Sequence, residues 1–225
     1  MRMRKKKNLE TRLTGCADNL ILIKPTLRDF SKADDVEEYI DLDTYFGRTA
    51  PLFLEIGCGK GGFVCEMAKR HPEINFIAVE QVANVIVSAA EKAKREKLDN
   101  ILFLCVKAEY LPTYIENSKA ERLFLNFSCP YPKKKYASHR LTAQNFLKIY
   151  KKLLKEGAEI HFKTDNMGLF EFSIEQMSDF GMSLKNVTLD LHKSEFAEQN
   201  IITEYESRFI AEGLPIYRLE ATFKK

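Results

Sequence analysis

Leu52-Phe53-Leu54-Glu55-Ile56-Gly57-Cys58-Gly59-Lys60-Gly61-Gly62 is an apolar run that breaks into glycines. An amphipathic segment, Phe63 to His71, follows at once and is stopped by Pro72. The order is strand, tight turn, helix. Glycine in such a turn lets the backbone adopt positive φ and lets a ligand come close without a Cβ in the way. The helix start then offers unpaired N–H groups and a partial positive charge to an anionic or electron-rich ligand.

The pattern continues on both sides. Asn75 to Glu80 is the second expected strand, and Val82, Val85, Ile86, Ala89, Ala90 and Ala93 follow at helical spacing. Ile101 to Val106, Arg122 to Phe127 and Glu159 to Lys163 are further strands. Helices are expected over Leu141 to Glu156, capped by Gly157, and over Gly168 to Phe180. Two late strands, Leu184 to Leu191 and Ile216 to Phe223, flank a loop and a short helix with no long crossover. Alternation of this kind predicts an α/β fold: a doubly wound, mainly parallel, seven-stranded sheet with an antiparallel edge pair. Leu9 to Gly47, broken at Pro25, reads as a partly helical lead-in covering a sheet edge. The expected organisation is one globular domain: a basic arm and lead-in over 1–48, then the main fold over 49–225.

The chain of 225 residues is long enough for a sizeable core. Its net charge of +3 is compatible with nucleic acid without proving it, so local clusters matter more. The 5 cysteines are odd in number and include no C-x-x-C pair, so neither a zinc site nor a disulfide framework is indicated. Cys65 and Cys105 sit in apolar segments and read as core. Reduced, cytoplasmic surroundings fit this usage. No stretch approaches the roughly 20 apolar residues of a membrane span, and the N-terminus lacks the apolar run of a signal sequence. No heptad seam is visible, so monomer and homodimer both stay open.

In open α/β sheets the ligand lies outside the carboxyl ends of the strands. Glu55, Glu80, Lys107, Cys129 and Asp165 all fall at or just after expected strand ends. Gly57-x-Gly59-x-x-Gly62 fits a dinucleotide fingerprint, and Gly57-x-Gly59-x-Gly61 fits that of S-adenosylmethionine (AdoMet) equally well. Glu55 separates them. A carboxylate there repels a pyrophosphate but attracts a sulfonium and an α-ammonium. Glu80 lies about 20 residues beyond the glycines, a spacing that suits a carboxylate on ribose hydroxyls; a solvated strand-end acid is the plain alternative. Lys107 falls where such a fold places the adenine end of a cofactor.

Asn126-Phe127-Ser128-Cys129-Pro130-Tyr131-Pro132-Lys133-Lys134-Lys135 joins stiff prolines, an aromatic face and a basic run, with His139 and Arg140 beyond. This suits a nucleic-acid backbone and base, or else it is a solvated basic loop. Met1 to Asn8 is a second basic stretch, either a phosphate-tracking arm or a tail. Asp165 and Thr203-Glu204-Tyr205-Glu206 supply acceptors, and the pairing edge of guanine presents two donors, N1–H and the N2 amino group. Helix capping is the plain alternative for both.

The opening Met-Arg-Met-Arg, Glu-Ile-Gly-x-Gly-x-Gly, Asn-Phe-Ser-x-Pro-x-Pro-Lys-Lys, His161-Phe162-Lys163-Thr164-Asp165-Asn166 and Thr203-Glu204-Tyr205-Glu206 occur in this order. On these motifs the chain resembles the bacterial tRNA (guanine-N7-)-methyltransferases over nearly its whole length, least from about Leu9 to Gly47. The resemblance implies a class I methyltransferase fold, AdoMet as methyl donor, and tRNA as substrate, modified at the variable-loop guanine of position 46. It implies cofactor binding by Glu55, Gly57, Gly59, Gly61, Glu80, Lys107 and Cys129. It implies substrate binding by Lys133, Asp165, Thr203, Glu204, Tyr205 and Glu206. Two departures stand out: the family usually has aspartate where Lys107 stands, and aspartate then tryptophan where Cys129 and Tyr131 stand. Cys129 thus occupies the position usually given a catalytic or cofactor role.

Guanine N7 has a lone pair and no proton to lose, so methyl transfer to it requires placement rather than a general base. An active enzyme is therefore expected despite Cys129. The alternatives are a catalytically silent tRNA-binding protein, favoured only by Cys129 and Lys107, and a nicotinamide-dependent dehydrogenase, favoured only by the glycine spacing.

Overall fold

The computed structural model describes residues 6–24 and 36–224. The first five residues of the basic arm and the expected break at Pro25 lie outside them. The chain divides into two compact units, Met1–Tyr114 and Ile115–Lys225.

The first unit runs α1 (Leu9–Thr14), β1 (Leu20–Leu22), α2 (Leu42–Phe46), β2 (Leu52–Ile56), α3 (Gly62–Arg70), β3 (Asn75–Val79), α4 (Ala83–Arg95), β4 (Ile101–Cys105) and α5 (Leu111–Tyr114). Its strands pair in the order β1-β4-β3-β2, all parallel. Every residue of β2 and β3 is buried, Glu55 and Asn75 included, as mainly apolar strands covered on both faces require. Val64, Cys65 and Ala68 of α3 and Ile86, Val87, Ala89, Ala90 and Ala93 of α4 are fully covered. Each large aliphatic so buried contributes about 1.5–3 kcal/mol.

The lead-in does cover an edge, and it does so with an additional strand. Leu20, Ile21 and Leu22 pair with Phe103, Leu104 and Cys105, making eight strands among the described residues where seven were expected. Three residues carry too little periodicity to be read as a strand. What defines β1 is the free edge of β4. Helix α1 is held to α4 by the Arg12 guanidinium, whose Nε and Nη2 donate to both oxygens of Glu91.

The second unit runs β5 (Ala120–Asn126), α6 (Gln144–Leu153), β6 (Leu154–Thr164), α7 (Met167–Asp179), β7 (Met182–Thr188), α8 (Glu204–Ala211) and β8 (Tyr217–Phe223). The strand order is β5-β6-β8-β7, with the first pair parallel and the other two antiparallel. The late antiparallel pair is thus present. The reading of Leu141 to Glu156 as helix with Gly157 as its cap is corrected: α6 ends at Leu153 and the chain is extended from Leu154. Leu154 is buried opposite Ala120, and the amides of Ser118 and Lys119 donate to Lys152 and Leu153 carbonyls. This pairing outweighs the helical periodicity. Gly157 takes φ 76 inside β6, beside the register shift between Ala120 and Arg122.

No helix among the described residues is long and apolar enough to cross a membrane. All 5 cysteines are unpaired; Cys65 is fully buried and Cys105 half-buried.

Candidate active site

In the first unit the parallel register brings the carboxyl ends of β2 and β3 side by side. The amides of Gly57 and Cys58 both donate to the Val79 carbonyl, at 2.8 and 3.0 Å. That fixes the glycine turn against the residue before Glu80. Gly57, Gly59 and Gly61 all have positive φ. At Gly61 the reason is also contact: a Cβ there would lie 2.8 Å from Ala89 Cβ, so the missing side chain lets α3 pack on α4. At Gly59 a Cβ would meet nothing within 4 Å, so space is open beside the turn.

Glu55 is 3% exposed, a carboxylate held inside the unit where β2 meets the turn. Glu80 is partly buried, and burial raises its pKa. Backbone N–H groups of Val82, Gly59 and Gln81 pull the other way, with Val82 N–H donating to Oε1 at 3.0 Å. Glu80 therefore also braces the glycine turn. Burial pushes the Cys58 thiol well up, and the negative charges of Glu55 and Glu80 add to it. Both acids thus act on one point of the turn, and Cys58 stays a thiol. Lys107 follows β4 and is exposed.

A sulfonium amino acid joined to a nucleoside fits this donor set. Two carboxylates beside the glycine turn suit cationic groups and ribose hydroxyls, and the space at Gly59 lets the backbone be approached closely. A pyrophosphate does not fit beside a buried Glu55. Lys107, exposed just after β4, offers a cation and no acceptor.

In the second unit β5 and β6 end together: Asn126 pairs with Lys163, and Phe127 N–H donates to the Lys163 carbonyl at 2.9 Å. Cys129 is exposed, three residues past β5, in a turn bracketed by positive φ at Phe127 and Tyr131. Arg140 ties that turn, donating from Nε to the Pro130 carbonyl and from Nη2 to the Tyr131 carbonyl at 3.0 and 3.1 Å, and it lies 4.3 Å over the Phe172 ring. Lys133 is exposed and precedes a 3-10 turn, Lys134–His139. Asp165 follows β6 and is partly exposed, and the Asn166 side chain caps α7 by accepting from Leu169 N–H.

Thr203 caps α8, its hydroxyl accepting from Glu206 N–H at 3.1 Å, while the Glu206 carboxylate accepts from Thr203 N–H. Tyr205 packs at a tilt against Phe127, with ring centroids 5.1 Å apart. Burial raises the Tyr205 hydroxyl pKa, and the Asp165 charge raises it further. Asp165, Tyr205 and Phe127 are therefore drawn together, with Glu204 and Tyr205 exposed. Glu206 is separated from them: it is 0% exposed and paired with Lys163 at 2.7 Å.

Two features escaped sequence reasoning. Lys163 is one, read as the end of a strand and not as a partner of Glu206. The other is a cross-strand lattice: Glu159, His161 and Glu220, whose polar atoms lie within 4.8 Å of one another, are bonded to Arg122, Lys185 and Arg218. Its signal was charge at every second position along 159–163 and 218–220.

The fold is shared with solved methyltransferases. The 16S rRNA methyltransferase KamB superposes with a TM-score of 0.62 over 84% of this chain and 96% of that one, at 16% identity. A phosphoethanolamine N-methyltransferase from Haemonchus contortus, solved with S-adenosyl-L-methionine, superposes with a TM-score of 0.50 over 82% of this chain and 51% of that one. Residues 49–219 match the family described as "Putative methyltransferase". The glycine turn and its two acids therefore sit in a methyltransferase. Sequence relatives narrow the class. A tRNA (guanine-N(7)-)-methyltransferase of Halalkalibacterium halodurans is 51% identical over 80% of this chain and 81% of that protein. One from Macrococcus caseolyticus is 46% identical over 89% and 98%. The chain belongs to the tRNA (guanine-N(7)-)-methyltransferase family.

Proposed function

We propose that this protein transfers the methyl group of AdoMet to N7 of a guanine in tRNA, at the variable-loop position 46. Family membership over four fifths of the chain supports the reaction. The single structural observation that carries it is the pairing of a buried Glu55 with Glu80 at a glycine turn.

When bound, AdoMet supplies an electrophilic methyl on a sulfonium. Glu80 would accept from the ribose hydroxyls, Glu55 would face the cationic groups, and Gly57, Gly59 and Gly61 would admit the nucleoside to the backbone. Lys107 flanks the adenine side without offering it an acceptor. On the nucleobase side Asp165 and Glu204 accept from guanine N1–H and N2, and Tyr205 offers a stacking face. Lys133 holds a phosphate. Cys129 contributes backbone, since attack by N7 releases no proton that a side chain there would have to take up. The N7 lone pair would form the new N–C bond as the C–S bond breaks, passing positive charge from sulfur to the purine, and the carboxylates of Asp165 and Glu204 on the base side would stabilise that charge. The reaction belongs in the cytoplasm, where tRNA and reduced thiols occur together.

The test is incorporation of labelled methyl from AdoMet into unmodified tRNA, followed by nucleoside digestion. The expected product is 7-methylguanosine, lost when guanine 46 is replaced. Absence of transfer with AdoMet and tRNA both bound would instead favour the silent binding protein that Cys129 and Lys107 suggest. Methylation of a different guanine would overturn the position.

A further inference from the structure

Glu206 belongs to the motif read as a nucleobase acceptor, yet its carboxylate is 0% exposed and both oxygens are engaged from within. Oε2 receives the Lys163 ammonium at 2.7 Å and the Thr203 N–H at 3.4 Å. Oε1 receives Asn200 Nδ2 at 2.6 Å, and His192 Nε2 stands 3.3 Å from it without a hydrogen bond. Lys163 in turn spends its donors on Asn200 Oδ1, the Ile201 carbonyl and Glu206. A base could reach Glu206 only by displacing this set.

The pair sits where three chain segments meet. Lys163 lies two residues before Asp165 on β6, and its carbonyl holds Phe127 N–H just past β5. Its ammonium lies 5.5 Å from the Phe127 ring, which packs against Tyr205 of α8. Glu206 forms the capping box that sets the first turn of α8, from which Glu204 and Tyr205 project. A buried ion pair gains little net stability over an apolar one of the same volume, and its best-attested use is to fix a geometry. Here the geometry fixed is that of Phe127, Asp165, Glu204 and Tyr205.

We propose that Lys163 and Glu206 are a positioning pair for the nucleobase, acting through the Thr203–Tyr205 turn and touching neither base nor methyl donor. The consequence for activity rests on the methyl-transfer reading above. The pair works as one unit, so losing either member costs what losing both costs.

Three variants test this: Lys163→Met, Glu206→Gln and the double variant, which leaves no buried charge and folds if a single variant does not. Each is measured for kcat on tRNA, for AdoMet and tRNA binding, and for amide hydrogen exchange. The expected result is a kcat at least tenfold lower in all three, AdoMet Kd within twofold and tRNA Kd within threefold of wild type. The double variant is no slower than the slower single. Exchange over 200–211 rises while that of Gly62–Arg70 does not. Losses that multiply in the double variant, or full activity in Lys163→Met beside an inactive Glu206→Gln, would make Glu206 an independent contact and overturn the proposal. A wild-type protein that transfers no methyl refutes the activity, not the anchor; exchange then decides, and unchanged exchange over 200–211 overturns it.

Discussion

Gly61→Ala is the most demanding test of how the glycine turn is built. Gly61 has φ 76, and a Cβ there would stand 2.8 Å from Ala89 Cβ, 3.1 Å from Ala89 Cα and 3.3 Å from Cys65 Sγ. Two costs add. Left-handed backbone with a side chain costs about 1–2 kcal/mol. Forcing a methyl against helix backbone costs about 1–3 kcal/mol, because Ala89 has no flexible end to move. The sum is about 2–5 kcal/mol. For a chain of this size each kcal/mol lowers the melting temperature by about 2–4 °C, so the expected drop is about 4–20 °C. Gly59→Ala is the control. Its φ is 58 but its Cβ would meet nothing within 4 Å, so only the first cost applies, about 1–2 kcal/mol. Adding Ala89→Gly to Gly61→Ala removes the 2.8 Å contact and leaves the backbone strain and the approach to the residue-89 Cα, so the pair couples non-additively. Thermal unfolding of wild type, Gly59→Ala, Gly61→Ala, Ala89→Gly and the double variant reads all of this. A Gly61→Ala protein no less stable than Gly59→Ala, or simple additivity with Ala89→Gly, refutes close packing as the reason for the glycine.

Three further outcomes are expected. Burial lifts the Glu159 carboxyl, but hydrogen bonds from His161 and Lys185 and the charges of His161 and Arg122 outweigh it and bring its pKa from 4.5 to about 2; such a group stabilises the fold above its unfolded pKa and loses that contribution as pH falls toward about 2. Glu159→Gln should therefore flatten the decline in unfolding midpoint between about pH 4.5 and about 2, and a slope equal to wild type would count against the lattice. Cys129→Ala should keep kcat within about tenfold of wild type, since positioning and not proton transfer limits attack by N7; a loss above a thousandfold in methyl transfer would assign the thiol a chemical role. Arg140→Ala removes two carbonyl bonds and the stack on Phe172, at about 0.5–1.5 kcal/mol per contact, so urea unfolding should show about 1.5–4.5 kcal/mol lost, together with a raised KM for tRNA.

The strand at Leu52–Ile56, the turn after it and the helix from Gly62 were legible because burial on both faces and left-handed backbone leave marks in composition that no neighbour can erase. The same holds for β3 and α4. Boundaries failed where pairing decided them. Leu154 reads as helix by spacing and is strand because Ala120 lies opposite; Leu20–Leu22 is strand because β4 has an open edge. Of the candidate site, the residue types and their places at strand ends could be read from the chain, since acids and glycines there are expensive without a ligand. Their orientation could not. Thr203-Glu204-Tyr205-Glu206 looks like four acceptors in a row, yet the turn of a helix sends Glu206 inward to Lys163 and leaves Glu204 and Tyr205 outside. Sequence by itself determined which chemistry this protein can do, because glycine, carboxylate and charge patterns constrain ligand type locally. Tertiary structure alone decided which of those side chains are free to meet a ligand, because burial and pairing are set by residues tens of positions away.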